Sequence, residues 1–247
     1  MIGRTRWHFR SVDSTQNLAF ALAQMGANAG TVVRAEFQRA GRGRLGRSWK
    51  VPSGTSLMFS TILRPDYPVH QLGSLSLAIA DALAGVFAPL VDGDVRIKWP
   101  NDVLIDGQKV SGILLQTRML NALVAVVGIG INVAQQPDQL PEGATSLTLA
   151  SAQLIDRERL FDDILTALNT MNEAWTPMLA PEIVARIESK LYLKNQPVTI
   201  IDAEREITGI IAGIAPTGEL RLIVAGHERW INAGEIQRGP RATTPDS

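Results

Sequence analysis

Apolar side chains first recur at helical spacing in Leu18, Leu22 and Met25. They lie between Ser14, a side chain suited to an N-cap, and Gly26, which stops the run. The spacing predicts a helix over 15–25. Thr31–Phe37 and Ser56–Leu63 are dense in β-branched and other apolar residues and predict strands, whereas Leu72, Leu75, Ile79, Leu83 and Val86 return to a period near 3.6. Beyond Pro89, strands are expected at Val95–Lys98, Val103–Ile105, Val110–Thr117 and Leu123–Val133, with Asp106-Gly107 placed to close a tight hairpin. Phe161, Ile164, Leu168, Met171 and Trp175 predict a helix over 157–175, and Pro181 suits the first turn of a shorter one. From Pro197 the texture changes to short apolar runs at 197–201, 207–213, 219–224 and 229–232 separated by turn-forming residues, the pattern of a small all-β barrel.

These elements predict an α+β fold, in which a mixed or antiparallel sheet carries helices over one face and a small β-barrel follows. The expected units are residues 1–192, the barrel at 193–240 and a disordered tail at 241–247, where Pro, Thr and charge dominate.

Composition narrows the classes of function. Lys plus Arg and Asp plus Glu both number 24, so no summed field draws the whole protein to DNA or anionic lipid, and any site for a polyanion must be local. The longest nearly uninterrupted apolar stretch, Ala122–Ile131, is about half the length of a bilayer span, and Met1–Arg10 lacks the apolar core of a secretion signal. A cytoplasmic protein with no membrane partner is expected. The absence of cysteine removes disulfides, thiol nucleophiles and cysteine-ligated metals, and His8, His70 and His227 stand at no metal-ligand spacing.

One local site stands out against this neutral background. Residues Gln38 to Trp49 carry four arginines and three glycines in twelve positions. Glycine lets backbone approach a ligand, and guanidinium groups grip phosphate or carboxylate oxygens in pairs. Little apolar surface lies in the stretch, which predicts a mobile lid that orders over an anion. Gly41, Gly43 and Gly46 match a dinucleotide fingerprint by letter, and Gly41 with Gly46-Arg47-Ser48 nearly spells a Walker A loop. Both need a helix to start at the last glycine, and Trp49, Pro52, Ser53 and Gly54 follow instead. By itself the loop is equally compatible with a solvated basic run or an RNA-contacting segment.

A second constellation is Lys98-Trp99-Pro100-Asn101-Asp102, followed past the hairpin by Lys109-Val110-Ser111-Gly112-Ile113. Gly112, and Gly128 with Gly130 in the next strand, are glycines inside strands, a sign of close approach by a ligand. Taken in order, Asp13-Ser14-Thr15, Gln38 with the Gly41–Trp49 loop, Lys98–Asp102, Lys109–Ile113 and Gly128–Asn132 resemble the catalytic domain of biotin–protein ligases, also called biotin–[acetyl-CoA-carboxylase] ligases. The resemblance runs from Val12 to about Gly239.

It implies a catalytic domain of the class II aminoacyl-tRNA-synthetase type with an SH3-like barrel behind it. ATP and biotin would be the substrates, with Mg²⁺, and the acceptor a lysine of a biotin carboxyl carrier protein domain, as in acetyl-CoA carboxylase. Ser14, Thr15, Gln16 and Gln38 would hydrogen-bond the ureido ring, with Arg42, Gly43, Arg44, Lys109 and Gly112 completing the biotin site. Lys109 matches the catalytic lysine, joined in the chemistry by Arg44 and Asp102. Arg42, Arg44, Arg47, Trp49 and Asn132 would meet the nucleotide, Trp49 closing over it, and Asp102 is the candidate for Mg²⁺ or for orienting Lys109. Gln16 departs from the asparagine of many members but retains an amide. Only 12 residues precede Asp13, so the winged-helix domain of bifunctional members is expected to be absent and no operator binding follows. A homodimer stays open, through an exposed sheet edge. The nearest rival, a lipoate–protein ligase, generally lacks the arginine-glycine loop, and the related octanoyl transferases need a cysteine that is missing here. A nucleic-acid-binding module built on the loop and barrel would instead show affinity falling steeply with salt.

Overall fold

The computed structural model describes residues 1–202 and 205–238. In chain order its elements are β1 (Arg6–Phe9), α1 (Thr15–Gln24), β2 (Val32–Ala35), β3 (Ser56–Leu63), α2 (Leu75–Phe87), β4 (Val95–Lys98), β5 (Asp102–Ile105), β6 (Gln108–Met119) and β7 (Leu123–Asn132). Three helices follow, α3 (Leu147–Ser151), α4 (Arg157–Ala174) and α5 (Pro181–Ser189). The last strands are β8 (Pro197–Asp202), β9 (Arg205–Ile214), β10 (Leu220–Val224), β11 (His227–Ile231) and β12 (Glu235–Arg238).

Seven strands form a mixed sheet in the order β1-β2-β3-β7-β6-β5-β4, in which only the β1–β2 pairing is parallel. Its central strand β7 is apolar along almost its whole length because both of its faces are covered. Successive side chains point to opposite faces. Val126 therefore joins Ala19, Phe20 and Ala23 of α1, whereas Val127 joins the cluster under α2 and α4. Helices thus cover both faces rather than the one expected. Asp106 and Gly107 take φ of 49° and 76°, as a two-residue primed turn between β5 and β6 requires.

The second sheet has five strands in the order β11-β10-β9-β8-β12, all antiparallel. The main apolar cluster runs without a break from α2 and the large sheet into Val198, Ile200, Ile211 and Leu222 of the small one. Residues 69–90 are long and apolar enough to cross a membrane by composition, and their position explains why: α2 lies inside this core, with Leu77, Ala80, Leu83, Ala84 and Phe87 fully buried. Strands β1 and β12 and the short α3 were not expected; the Trp7 and Phe9 alternation of β1 spans only four residues, too short a run to stand out, and its side chains are exposed or half-exposed. The predicted disordered tail lies outside the described residues.

Candidate active site

A cavity of about 650 Å³ opens between the start of α1, strands β3, β5, β6 and β7, the 42–51 loop and residues 138–144. Two chemically distinct groups line it. The first is neutral. Ser14 is the N-cap residue of α1, 2% exposed, and its Oγ has no hydrogen-bond partner. Thr15 Oγ1 lies 3.1 Å from Gln38 Oε1 and 2.8 Å from Ser60 Oγ, and Gln38 Oε1 also accepts the Thr15 backbone N–H at 2.8 Å. Gln16 lines the cavity too, but its amide is committed to the protein. Nε2 donates to the carbonyls of Val126 at 2.9 Å and Leu114 at 3.3 Å, and Oε1 accepts from Ser60 Oγ at 3.1 Å. Both ends of the Gln16 amide therefore face protein groups, the carbonyls of two strands on one side and Ser60 on the other.

The second group is cationic. Residues 41–49 fold into a tight hairpin, with Trp49 N–H donating to Gly41 O at 2.9 Å and Gly43 N–H to Arg47 O at 2.7 Å. Arg42 lines the cavity, and its backbone pairs with Ser48. Gly41 cannot carry a side chain, because a Cβ there would sit 2.3 Å from Trp49 O. The hairpin is held by charge rather than by apolar packing, the resource its composition lacks. Arg47 makes a bidentate ion pair with Glu235 at the start of β12, both contacts at 2.5 Å, and Arg44 Nη1 donates to Asn101 Oδ1 at 3.0 Å. Burial pushes the Arg44 guanidinium below its ordinary pKa, partly offset by Asp102 and Glu235. The hydrogen bonds that Arg47 donates to Glu235 raise its own pKa. For Glu235 burial acts upward, and the Arg47 hydrogen bond with the charges of Arg47, Lys98 and Arg44 outweighs it, leaving the carboxyl below its usual range.

Lys109 Nζ stands 2.8 Å from Asp102 Oδ1, across the β5–β6 hairpin, and 5.6 Å from the centre of the Trp49 ring. That oxygen of Asp102 is buried without a well-aligned hydrogen bond, so the pair is a contact of opposite charges. The strand glycines admit protein side chains. A Cβ at Gly130 would lie 2.6 Å from the Trp49 ring, one at Gly112 3.0 Å from Lys109 Nζ, and one at Gly128 2.5 Å from Gln16 Oε1. Asn132 is 3% exposed; Nδ2 donates to Thr145 O at 3.0 Å and Oδ1 accepts from Gln135 Nε2 at 3.0 Å. It therefore ties β7 to the segment after residue 144 as well as lining the cavity.

The structure thus gathers Ser14, Thr15, Gln16, Gln38, Arg42, Gly43, Arg44, Arg47, Trp49, Asp102, Lys109, Gly112 and Asn132 around one cavity. Ser60, Asn101, Gln135 and Glu235 escaped the sequence reading. Asn101 stood inside a quoted motif, and the other three gave no local signal. Among the described residues no group of three or more His, Cys, Asp or Glu side chains could hold a metal ion.

Two family models match the chain: the biotin/lipoate A/B protein ligase family over residues 8–133 and the biotin protein ligase C-terminal domain over residues 195–239. The bifunctional ligase/repressor BirA of Bacillus spizizenii is 39% identical over 178 residues, 68% of this chain and 55% of that protein. The chain thus spans little more than half the length of that relative. The biotin–[acetyl-CoA-carboxylase] ligase of Mycobacterium tuberculosis is 34% identical over 231 residues, covering 90% of this chain and 85% of its own. Among solved structures, the biotin protein ligase from Aquifex aeolicus in complex with biotin and ATP superposes with a TM-score of 0.81 at 28% identity, over 95% of this chain and 98% of that one.

Proposed function

Because the chain belongs to the biotin/lipoate A/B protein ligase family, and within it to the biotin protein ligases, we propose that it joins biotin to ATP and passes the biotinyl group to a lysine of a biotin carboxyl carrier protein domain. The observation that carries this reading is the meeting of two groups in one cavity. The unpartnered Ser14 hydroxyl and the neighbouring Thr15 hydroxyl suit a neutral polar ring, and Lys109 and Arg44 suit two anions. Residues 1–192 would form the catalytic unit and 193–240 the barrel that holds the loop through Glu235.

In the first step a biotin carboxylate oxygen attacks the α-phosphorus of ATP, forming the acyl–phosphate bond as the bond to the β-phosphate breaks and pyrophosphate leaves. Two anions must approach, and fixed cations lower the cost while stabilising charge on the phosphoryl oxygens. Lys109, aimed by Asp102, and Arg44, aimed by Asn101, are placed for this. Asp102 gives only one carboxylate, which fits a magnesium ion brought in on nucleotide phosphates better than a resident one. In the second step an acceptor amine attacks the acyl carbon and AMP leaves. The mixed anhydride would hydrolyse in water, so the 41–49 hairpin must stay closed meanwhile.

The test is biotin-dependent exchange of labelled pyrophosphate into ATP, run beside lipoate. Exchange with biotin alone is expected. Exchange with lipoate instead, or with neither, overturns the reading.

A further inference from the structure

We propose that residues 143–145 are the positioning element for Lys109: they hold its backbone at the bulge where β6 leaves its regular ladder, so that its ammonium reaches the face on which the two anions meet. The inference rests on the biotin reading, which gives Lys109 its role, and adds what places it.

Side chains alternate between the two faces of a strand, so residues three apart should point to opposite sides. At the start of β6 they do not. Val110 and Ile113 both join the core cluster under α2 and α4, whereas Lys109 and Gly112 both face the cavity, where a Cβ on Gly112 would lie 3.0 Å from Lys109 Nζ. The cause is one extra residue. Val103 pairs with Ser111 but Leu104 with Lys109, so Val110 is bulged out of the β5–β6 ladder. In an unbroken strand with Gly112 on the cavity side, Lys109 would be turned into the core.

A bulge re-aims a side chain and also interrupts the pairing that holds it. The opposite edge of β6 makes good the loss. Pairing with β7 begins only at Ser111, opposite Ile131, and before that point Ala144 bridges Lys109 in parallel. Lys109 N–H donates to Gly143 O at 2.8 Å, and Thr145 N–H donates to Lys109 O at 2.9 Å. The single N–H of Lys109 is committed there and is not available to β5. Asp102, 2.8 Å from Nζ, fixes only the far end of a long flexible side chain. The segment is braced in turn, by Ala144 N–H on Pro141 O at 3.1 Å and Asn132 Nδ2 on Thr145 O at 3.0 Å. Pro141 and Ala144 also line the cavity, so this wall and Lys109 form one hydrogen-bonded unit.

The test uses Gly143, whose φ of 75° suits few residues besides glycine and where a Cβ would meet nothing within 4 Å. Gly143→Val therefore disturbs the backbone of the segment without a clash of its side chain. The rate of pyrophosphate exchange at saturating biotin and ATP is expected to fall about tenfold, with KM for biotin within about twofold of the parent. Gly143→Asn, whose side chain tolerates the left-handed region, is expected to recover most of that rate. The same substitution in the Lys109→Ala background separates positioning from a merely structural role. With Lys109 gone the segment has no ammonium to place, and Gly143→Val is expected to cost less than about twofold more. A tenfold loss in both backgrounds, or an unchanged rate in Gly143→Val alone, overturns the positioning role. A parent protein without biotin-dependent exchange is a different result, overturning the functional reading itself.

Discussion

Lys109 shows how much of a residue's chemistry is set by its immediate neighbours. Asp102 at 2.8 Å and the Trp49 ring at 5.6 Å fix where its ammonium sits, and Gly112 leaves room for it. Lys109→Ala should remove about 3 kcal/mol of transition-state stabilisation, or roughly two orders of magnitude in the rate of pyrophosphate exchange, with folding unchanged. Near-normal exchange would take Lys109 out of the chemistry. Gly130 is a sharper probe of Trp49. A Cβ at 2.6 Å from the indole forces the ring to move, so Gly130→Ala is expected to raise KM for ATP about tenfold, measured against an unchanged KM for biotin. The sequence marked these strand glycines as sites of close approach. What approaches them is the protein's own Gln16, Trp49 and Lys109, because a glycine reports only that space is needed, not what fills it.

At the scale of the element, the 41–49 hairpin shows what composition can and cannot convey. Four arginines with little apolar surface announced an anion-facing loop. Its anchor, Glu235, lies 188 residues away from Arg47 and has no local signature. Because Arg47 is 65% exposed, solvent screens the pair and its worth to global stability is small, about 0.5 kcal/mol. Its effect should appear in loop closure instead. Glu235→Gln is expected to release several times more biotinyl-AMP into solution than the parent before acceptor is added, and unchanged retention would argue against the clamp. The pH dependence has a definite sign. The native carboxyl lies below its ordinary value of 4.5, so the clamp is complete above that value and is lost as the pH falls through the lower native one. Amide exchange in the hairpin, compared at each pH, should be slower in the parent than in Glu235→Gln near neutrality, with the difference shrinking only below pH 4.5 and vanishing as the pH falls through the lower native value.

For the whole molecule, the continuous cluster from α2 into the small sheet implies that the two sheets unfold together. Trp99, buried beneath this junction, donates Nε1–H to Gly218 O at 2.9 Å. Trp99→Phe keeps most of the ring and strands that carbonyl, so a loss of about 2 kcal/mol in a single urea transition is expected, and two separated transitions would contradict the shared core. Sequence alone determined the element order, since apolar periodicity is local: Ser56–Leu63, Val95–Lys98 and the Pro181 helix start are placed where their residues predict. It also determined which residue types gather at the site, because a loop of arginine and glycine and a lysine beside a turn announce their chemistry within a few positions. Tertiary structure alone decided the partner of each polar group. Hydrogen bonds join residues such as Gln16 and Val126, 110 positions apart, and with no periodic trace to read, only the fold reveals that the Gln16 amide bonds backbone and Ser60 while the buried Ser14 hydroxyl has no partner within the protein.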